Sequence, residues 1–198
     1  MLFNVEQNTD EWYALRVGLI TGSDAPAVNM KPTNEGYKKL IRRLVYERMY
    51  GERADAWQGN KYTERGHELE PEAFQEYQFL TGKKIEEIGF IKLNDFVGCS
   101  PDALDGDKGL VQIKCLDWNA HMEVLESDKI GTYHELQMQF ELYASEREYN
   151  TYFGYHPKLP AYFKQITLDD KARQILDKKI KEIIQEVQNR ITKLKERK

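Results

Sequence analysis

The chain has 198 residues, 40% hydrophobic and 31% charged, with a formal net charge of −4. That length and balance predict a single globular domain over residues 1–198 with a core of its own. No run approaches the ~20 apolar residues of a membrane span, and MLFNVEQNTDEW lacks the basic start and apolar stretch of a signal peptide, so a cytoplasmic protein is expected. Cys99 and Cys115 are too few for a disulfide scaffold and are not in zinc-type spacing, so both read as small buried hydrophobes. Charge is uneven along the chain. Residues 171–198 hold 10 Lys+Arg against 4 Asp+Glu, while the other 170 hold 19 against 29.

In chain order, Thr9 is placed to cap a short helix over 9–16, and Ser23 is placed to start another. Residues 36–50 put Tyr37, Leu40 and Leu44 at helical spacing, and Gly51 ends the pattern. Residues 51–61 read as loop. A helix is predicted over 62–80, kinked or restarted at Pro71 and stopped by Thr81-Gly82. Strands follow at about 84–92, about 95–99 and 109–116, then an amphipathic helix at roughly 131–146. Two Tyr/Phe-rich strands, 150–155 and 161–168, are separated by His156-Pro157 and Pro160. Leu176, Ile180, Ile183, Val187, Ile191 and Leu194 mark a last helix over 169–195. This order predicts an α/β fold with a mixed central sheet flanked by helices.

The chemistry gathers in SPDALDGDKGLVQIKCL, residues 100–116. Alternation along 109–116 puts Gln112 and Lys114 on one face and Val111, Ile113 and Cys115 on the other. Pro101 restricts the backbone before Asp102, and the glycines of LDGDKG let the chain turn back. Such a hairpin brings Asp102 beside Gln112 and Lys114. Mg²⁺ prefers hard oxygen ligands, one or two such ions can activate a water, and a lysine beside them can steady developing charge. An Asp followed ten residues later by acid-x-Lys is the PD-(D/E)xK pattern of Mg²⁺-dependent nucleases. Taken alone it is weak, because a turn Asp with two exposed strand residues reads the same way.

Further stretches accompany it. RGHELEPEAFQEY puts Glu70 on the helix before the hairpin. WYALRVGLITGS puts Trp12, Arg16 and Ser23 around a turn, where an Arg and a Ser can hold a phosphate. LQMQFELY puts Gln137 and Gln139 on the long helix. Together they supply four ordered motifs, W-x-x-x-R-x-G-x-I-T-x-S, G-x-x-x-E, C-S-P-D-(A/G)-L with G-L-x-x-x-K-C, and Q-x-Q. From Trp12 to about Pro157 the chain resembles the phage lambda exonuclease family, the recombination exonucleases of the PD-(D/E)xK class.

The resemblance implies a restriction-endonuclease-like sheet and a 5′-to-3′ exonuclease that degrades one strand of linear double-stranded DNA. Asp102 and the residue at 112 match the carboxylate ligands of a two-metal Mg²⁺ site, with Mn²⁺ as a possible substitute and the Ile113 carbonyl beside them. Glu70 matches the helix-borne acidic ligand and Lys114 the catalytic lysine. Arg16, Ser23 and Ser100 match the positions that receive a 5′-phosphate. Gln137 and Gln139 match the glutamine pair near the active site, Gln139 as a catalytic residue and Gln137 on the DNA-binding side. A ring-shaped homotrimer, a single-strand annealing protein as partner, 5′-phosphorylated duplex ends as substrate and the bacterial host cytosol as location follow from the same resemblance.

The departure is Gln112, where the family has Glu. Glutamine keeps the shape and one carbonyl oxygen but loses the charge, so metal binding and water activation are expected to be impaired. Either a Glu-to-Gln replacement or a native glutamine accounts for it. A structure-specific endonuclease of the same fold and a non-catalytic DNA-end-binding protein are the alternatives. His67, His121, His134 and His156 share no metal-ligand spacing. Lys38, Lys39, Arg42 and Arg43 suit either a DNA backbone or a solvated helix face. Trp57 is a candidate for stacking on a base, and the C-terminal helix is expected to pack on the sheet or on a neighbouring subunit.

Overall fold

A computed structural model describes residues 1–54 and 61–197, with the side chains of 61–67 left aside. Trp57 and the His67 side chain therefore lie outside the described residues. The mixed α/β architecture is as the sequence predicts. A five-stranded sheet runs in the order β2 (Glu86–Glu87), β5 (Ala103–Asp105), β6 (Gly109–Cys115), β7 (Tyr149–Tyr155) and β8 (Tyr162–Thr167). Only β6 and β7 pair in parallel; the other neighbours are antiparallel. Parallel neighbours require a long crossover, and here it carries α5 (Trp118–Ser127) and α6 (Thr132–Ser145). A second, three-stranded antiparallel sheet joins β1 (Leu2–Phe3), β3 (Phe90–Lys92) and β4 (Gly98–Cys99).

Helix α1 (Asp10–Arg16) starts at Thr9, whose side chain accepts the Trp12 amide as an N-cap. A 3₁₀ turn at Gly22–Asp24 leads into α2 (Ala25–Asn29), so Ser23 lies inside that turn. Helix α3 (Glu35–Tyr50) is capped by Asn34 and ends at Gly51 with φ 71°, the left-handed conformation glycine accepts without cost. Helix α4 (Lys61–Thr81) runs through Pro71 as one element and does not restart.

Three expectations need correction. The stretch predicted as one strand over 84–92 is two short strands, β2 and β3, in different sheets. Helix α5 went unpredicted, although Trp118, Met122 and Leu125 stand at helical spacing; it buries His121 and Val124. The last helix, α7 (Asp170–Lys195), was expected on the sheet or on a neighbouring subunit, but buries Leu176, Ile180, Ile183 and Val187 chiefly against α3 and α2. Tyr37 donates to Glu186 at 2.9 Å and Lys179 to Asn29 Oδ1 at 2.8 Å across those contacts.

The sheet has a different core on each face. Val111, Ile113, Phe153 and Tyr155 pack with Ala73 and Tyr77 of α4. Leu110, Tyr152, Tyr162 and Ile166 join the larger core with Met138, Phe140 and Leu142 of α6. Period-2 alternation of β6 between the two cores turns Gln112 away from α4. Cys99 is buried, whereas Cys115 is half-buried, and neither forms a disulfide.

Candidate active site

Asp102 follows β4 and precedes β5, where its backbone N–H donates to the Val111 carbonyl at 3.2 Å. That bond extends the β5–β6 ladder by one step and holds the carboxylate over β6. Asp102 Oδ2 accepts the Ile113 N–H at 2.6 Å and the Gln112 side-chain amide at 2.5 Å, with Lys114 Nζ at 3.7 Å. Asp102, Gln112 and Lys114 are thus in one place, joined by the hairpin and by strand alternation. Burial pushes the Asp102 carboxyl up from its ordinary value, with Lys114 and these hydrogen bonds opposing it.

The cluster continues into α6. Gln112 is 1% exposed, and its Oε1 accepts from Gln137 Nε2 at 3.2 Å. The same nitrogen donates to Glu141 Oε1 at 2.8 Å, and Asn150 Nδ2 donates to Glu141 Oε2 at 2.8 Å. Glu141 is 0% exposed, and burial pushes its carboxyl up to about 8. Gln137 and Glu141 share a helix face at i, i+4; Gln139, two residues on, does not share it, and it takes no part in these bonds. Glu70 is half-buried on α4, the helix packed across β6, and the bonds joining Asp102, Gln112, Gln137 and Glu141 do not include it.

A second group lies beside this one. The Arg16 guanidinium stacks on Trp12, 4.0 Å from the ring centroid, and donates to Ser100 Oγ at 2.9 Å and Thr21 Oγ1 at 3.3 Å. Trp12 Nε1 is fixed in turn by the Gly89 carbonyl at 2.8 Å and Ser100 Oγ at 3.0 Å. Thr21 Oγ1 and Ser23 Oγ are 3.2 Å apart. Trp12, Arg16, Thr21 and Ser23 line a cavity of about 470 Å³ with Tyr13, Arg43, Arg53 and Tyr133. Arg43 is neutralised there by Asp24 and Glu47, each at 2.8 Å, so it is a structural cation and not part of a solvated helix face. Lys38 and Arg42 pair with Glu35 on that outer face. Arg16 forms no ion pair among the described residues, and burial pulls its pKa down, with Asp24 in part offsetting it.

The positions expected to hold a divalent ion do not fit one as they stand. Asp102 is their single carboxylate in the cluster, and Gln112 turns an N–H donor toward it where a cation needs an acceptor. Among the described residues, no group of three or more His, Cys, Asp or Glu side chains is arranged to hold a metal. His121 and His134 are placed as packing residues. His121 is buried with Nε2 at 2.9 Å from the Pro160 carbonyl, and burial, then Lys114, lowers the His134 pKa to about 4.

Glu141, Asn150, Thr21, Arg53 and Tyr133 were not foreseen as members of these groups. The sequence signals were Thr21, the threonine of W-x-x-x-R-x-G-x-I-T-x-S, and Glu141, an acid within the apolar MQFELY and four residues after Gln137.

Residues 11–148 match the YqaJ-like viral recombinase domain. The fold is similar to that of an alkaline exonuclease (LHK-Exo) from Laribacter hongkongensis, with TM-score 0.86 and 29% identity over 96% of this chain and 97% of that one. The same exonuclease in complex with dAMP superposes as well, with TM-score 0.86 and 28% identity over the same shares of both chains. A phage-related exonuclease from Haemophilus somnus 129PT shares the fold at TM-score 0.68 and 14% identity, over 89% of this chain and 96% of that one. Comparison with curated proteins finds no match.

Proposed function

The chain belongs to the YqaJ-like viral recombinase family, and we propose that it is a nuclease that engages 5′-phosphorylated ends of linear double-stranded DNA and degrades one strand from 5′ to 3′. The observation that carries this reading is Arg16. A half-buried guanidinium with hydroxyl partners but no carboxylate is costly, and it faces a cavity large enough for a terminal phosphate. Its planar fork suits two oxygens of a phosphate. Thr21 and Ser23 offer hydroxyls in the same space, and Ser100 holds Arg16 in place.

In this reading Lys114 supplies positive charge beside Asp102 for the scissile phosphate, and a metal-binding set of Asp102, Glu70, the Ile113 carbonyl and residue 112 would require a carboxylate at 112, which this chain lacks. Nucleases of this kind generally use a divalent metal, and Mg²⁺, with Mn²⁺ as substitute, is the proposed cofactor. Gln112 makes this copy a slow enzyme, since the charge expected at 112 is absent. Gln139 remains a proposed catalytic residue on the resemblance alone, as do a homotrimer and a single-strand annealing partner.

The test is binding in EDTA to short duplexes with 5′-phosphate or 5′-hydroxyl ends. The phosphorylated end should bind at least ~10-fold more tightly, one bidentate charge-assisted contact being worth about 1.5–3 kcal/mol, and Arg16→Ala should erase the difference. Equal binding would remove the basis of the proposal. The bond from Gln112 to Asp102 favours a second reading, a DNA-end-binding protein without catalysis. Absence of digestion by both the parent and Gln112→Glu in Mg²⁺ would select it, and cutting of covalently closed DNA would select an endonuclease.

A further inference from the structure

An end held by Arg16 and attacked beside Lys114 places two successive phosphates of one strand, the terminal phosphate at the first residue and the first phosphodiester at the second. The first nucleoside then lies between them, and helix α6 borders that interval. Its Gln137 and Glu141 side chains meet Gly22 of the 3₁₀ turn, where an added methyl would stand 3.1 Å from Glu141 Oε1 and 3.3 Å from Gln137 Cγ. Tyr133, four residues before Gln137, shares that helix face and lines the cavity with Arg16, Thr21 and Ser23. Burial raises its pKa, and Lys114 and Arg16 both oppose that rise, so the phenol stands within the field of both cations.

The aromatic rings lining the cavity are those of Trp12, Tyr13 and Tyr133. Trp12 carries the Arg16 guanidinium at 4.0 Å, and Tyr13 carries that of Arg53 at 3.7 Å. Tyr133 has no cation over its ring among the described residues. Its ring contact there is with His134, edge to face, with centroids 5.6 Å apart, and 49% of the residue stays exposed. An aromatic side chain with that much open surface, beside the places of two successive phosphates, suits a base. Every base has a π face, so stacking there asks for no particular sequence.

We propose that Tyr133 is the stacking platform for the base of the 5′-terminal nucleotide, a recognition residue whose role rests on the end-binding reading of the cavity. Arg16 takes the phosphate and Tyr133 takes the nucleoside attached to it, which directs the first phosphodiester toward Lys114. A tyrosine that served only to pack the start of α6 would be closed over by its neighbours. It would also be indifferent to whether the end nucleotide carries a base.

The test is binding of the full-length chain in EDTA, followed by fluorescence anisotropy. Each duplex ends in a single unpaired 5′-nucleotide carrying either thymine or a tetrahydrofuran abasic analogue, and each is made with a 5′-phosphate and with a 5′-hydroxyl. The parent should bind the thymine end at least ~5-fold more tightly than the abasic end, the scale of one base stacked on an aromatic side chain. Tyr133→Phe should keep that ratio and Tyr133→Ala should abolish it, with the preference for a 5′-phosphate left in place in both. A parent that does not distinguish thymine from abasic, or a Tyr133→Ala protein that still does, overturns the proposal. The two comparisons are independent: phosphate against hydroxyl tests the pocket reading, and thymine against abasic tests Tyr133. Should Tyr133→Ala fail to fold, Tyr133→Leu decides it, since leucine is apolar but has no π face; an undiminished ratio there is equally fatal.

Discussion

Gln112 donates its side-chain amide to Asp102 Oδ2 at 2.5 Å, across the strand–turn–strand unit of β5 and β6. The bond satisfies both groups without an ion. A glutamate at 112 would instead set two carboxylates against each other, an arrangement a divalent cation relieves. Gln112→Glu is therefore expected to raise the Mg²⁺-dependent digestion rate of linear duplex by ~100-fold or more, the effect of several kcal/mol on the transition state. Equal rates for the two proteins would show that residue 112 does not limit the chemistry.

Stability should depend on pH through Glu141. Its pKa rises from an ordinary 4.5 to about 8 in the folded chain, mainly by burial. Between those values the folded state holds a proton that the unfolded state has lost, so stability falls as pH rises through that window. In EDTA, the urea midpoint of the parent should drop between pH 5 and pH 9, and Glu141→Gln should flatten that drop. A parallel decline in both proteins would assign it to other groups.

Gly89 should be intolerant of a side chain. A methyl there would overlap the Val5 carbonyl oxygen, and the Gly89 carbonyl is the acceptor that fixes Trp12 beneath Arg16. Gly89→Ala is expected to lose about 1–3 kcal/mol in chemical unfolding, as overpacking does, and to weaken discrimination of 5′-phosphorylated ends. Wild-type stability in this variant would mean that the N-terminal segment gives way freely.

The quaternary state is open to a direct measurement. The inward faces of α3 and α7, the two helices with most aliphatic surface, pack on each other. Tyr46, Tyr50 and Leu194 stay exposed at one end of that seam. Light scattering of the 23.3 kDa chain is expected to give about three times that mass, by a heterologous interface that closes a ring. A monodisperse monomer at micromolar concentration would remove the ring.

What the sequence determined is what near neighbours decide. Thr9 caps α1, Gly51 ends α3, and the period of Leu176 to Val187 gives α7, since each depends on residues within a turn or two. The meeting of Asp102 with Gln112 and Lys114 belongs here too, because one tight turn and the two-residue alternation of β6 suffice to produce it. Only the tertiary structure decided the rest. Arg16 meets Ser100 across 84 positions, and β6 pairs in parallel with β7 across a crossover of two helices. In the sequence Glu141 shows only as an acid within the apolar MQFELY. It becomes a buried acid because α6 packs over the sheet and brings Gln137, Asn150 and Gly22 around it. The charge state of a carboxyl is set by what removes its water and what hydrogen-bonds to it, and those groups come from distant parts of the chain.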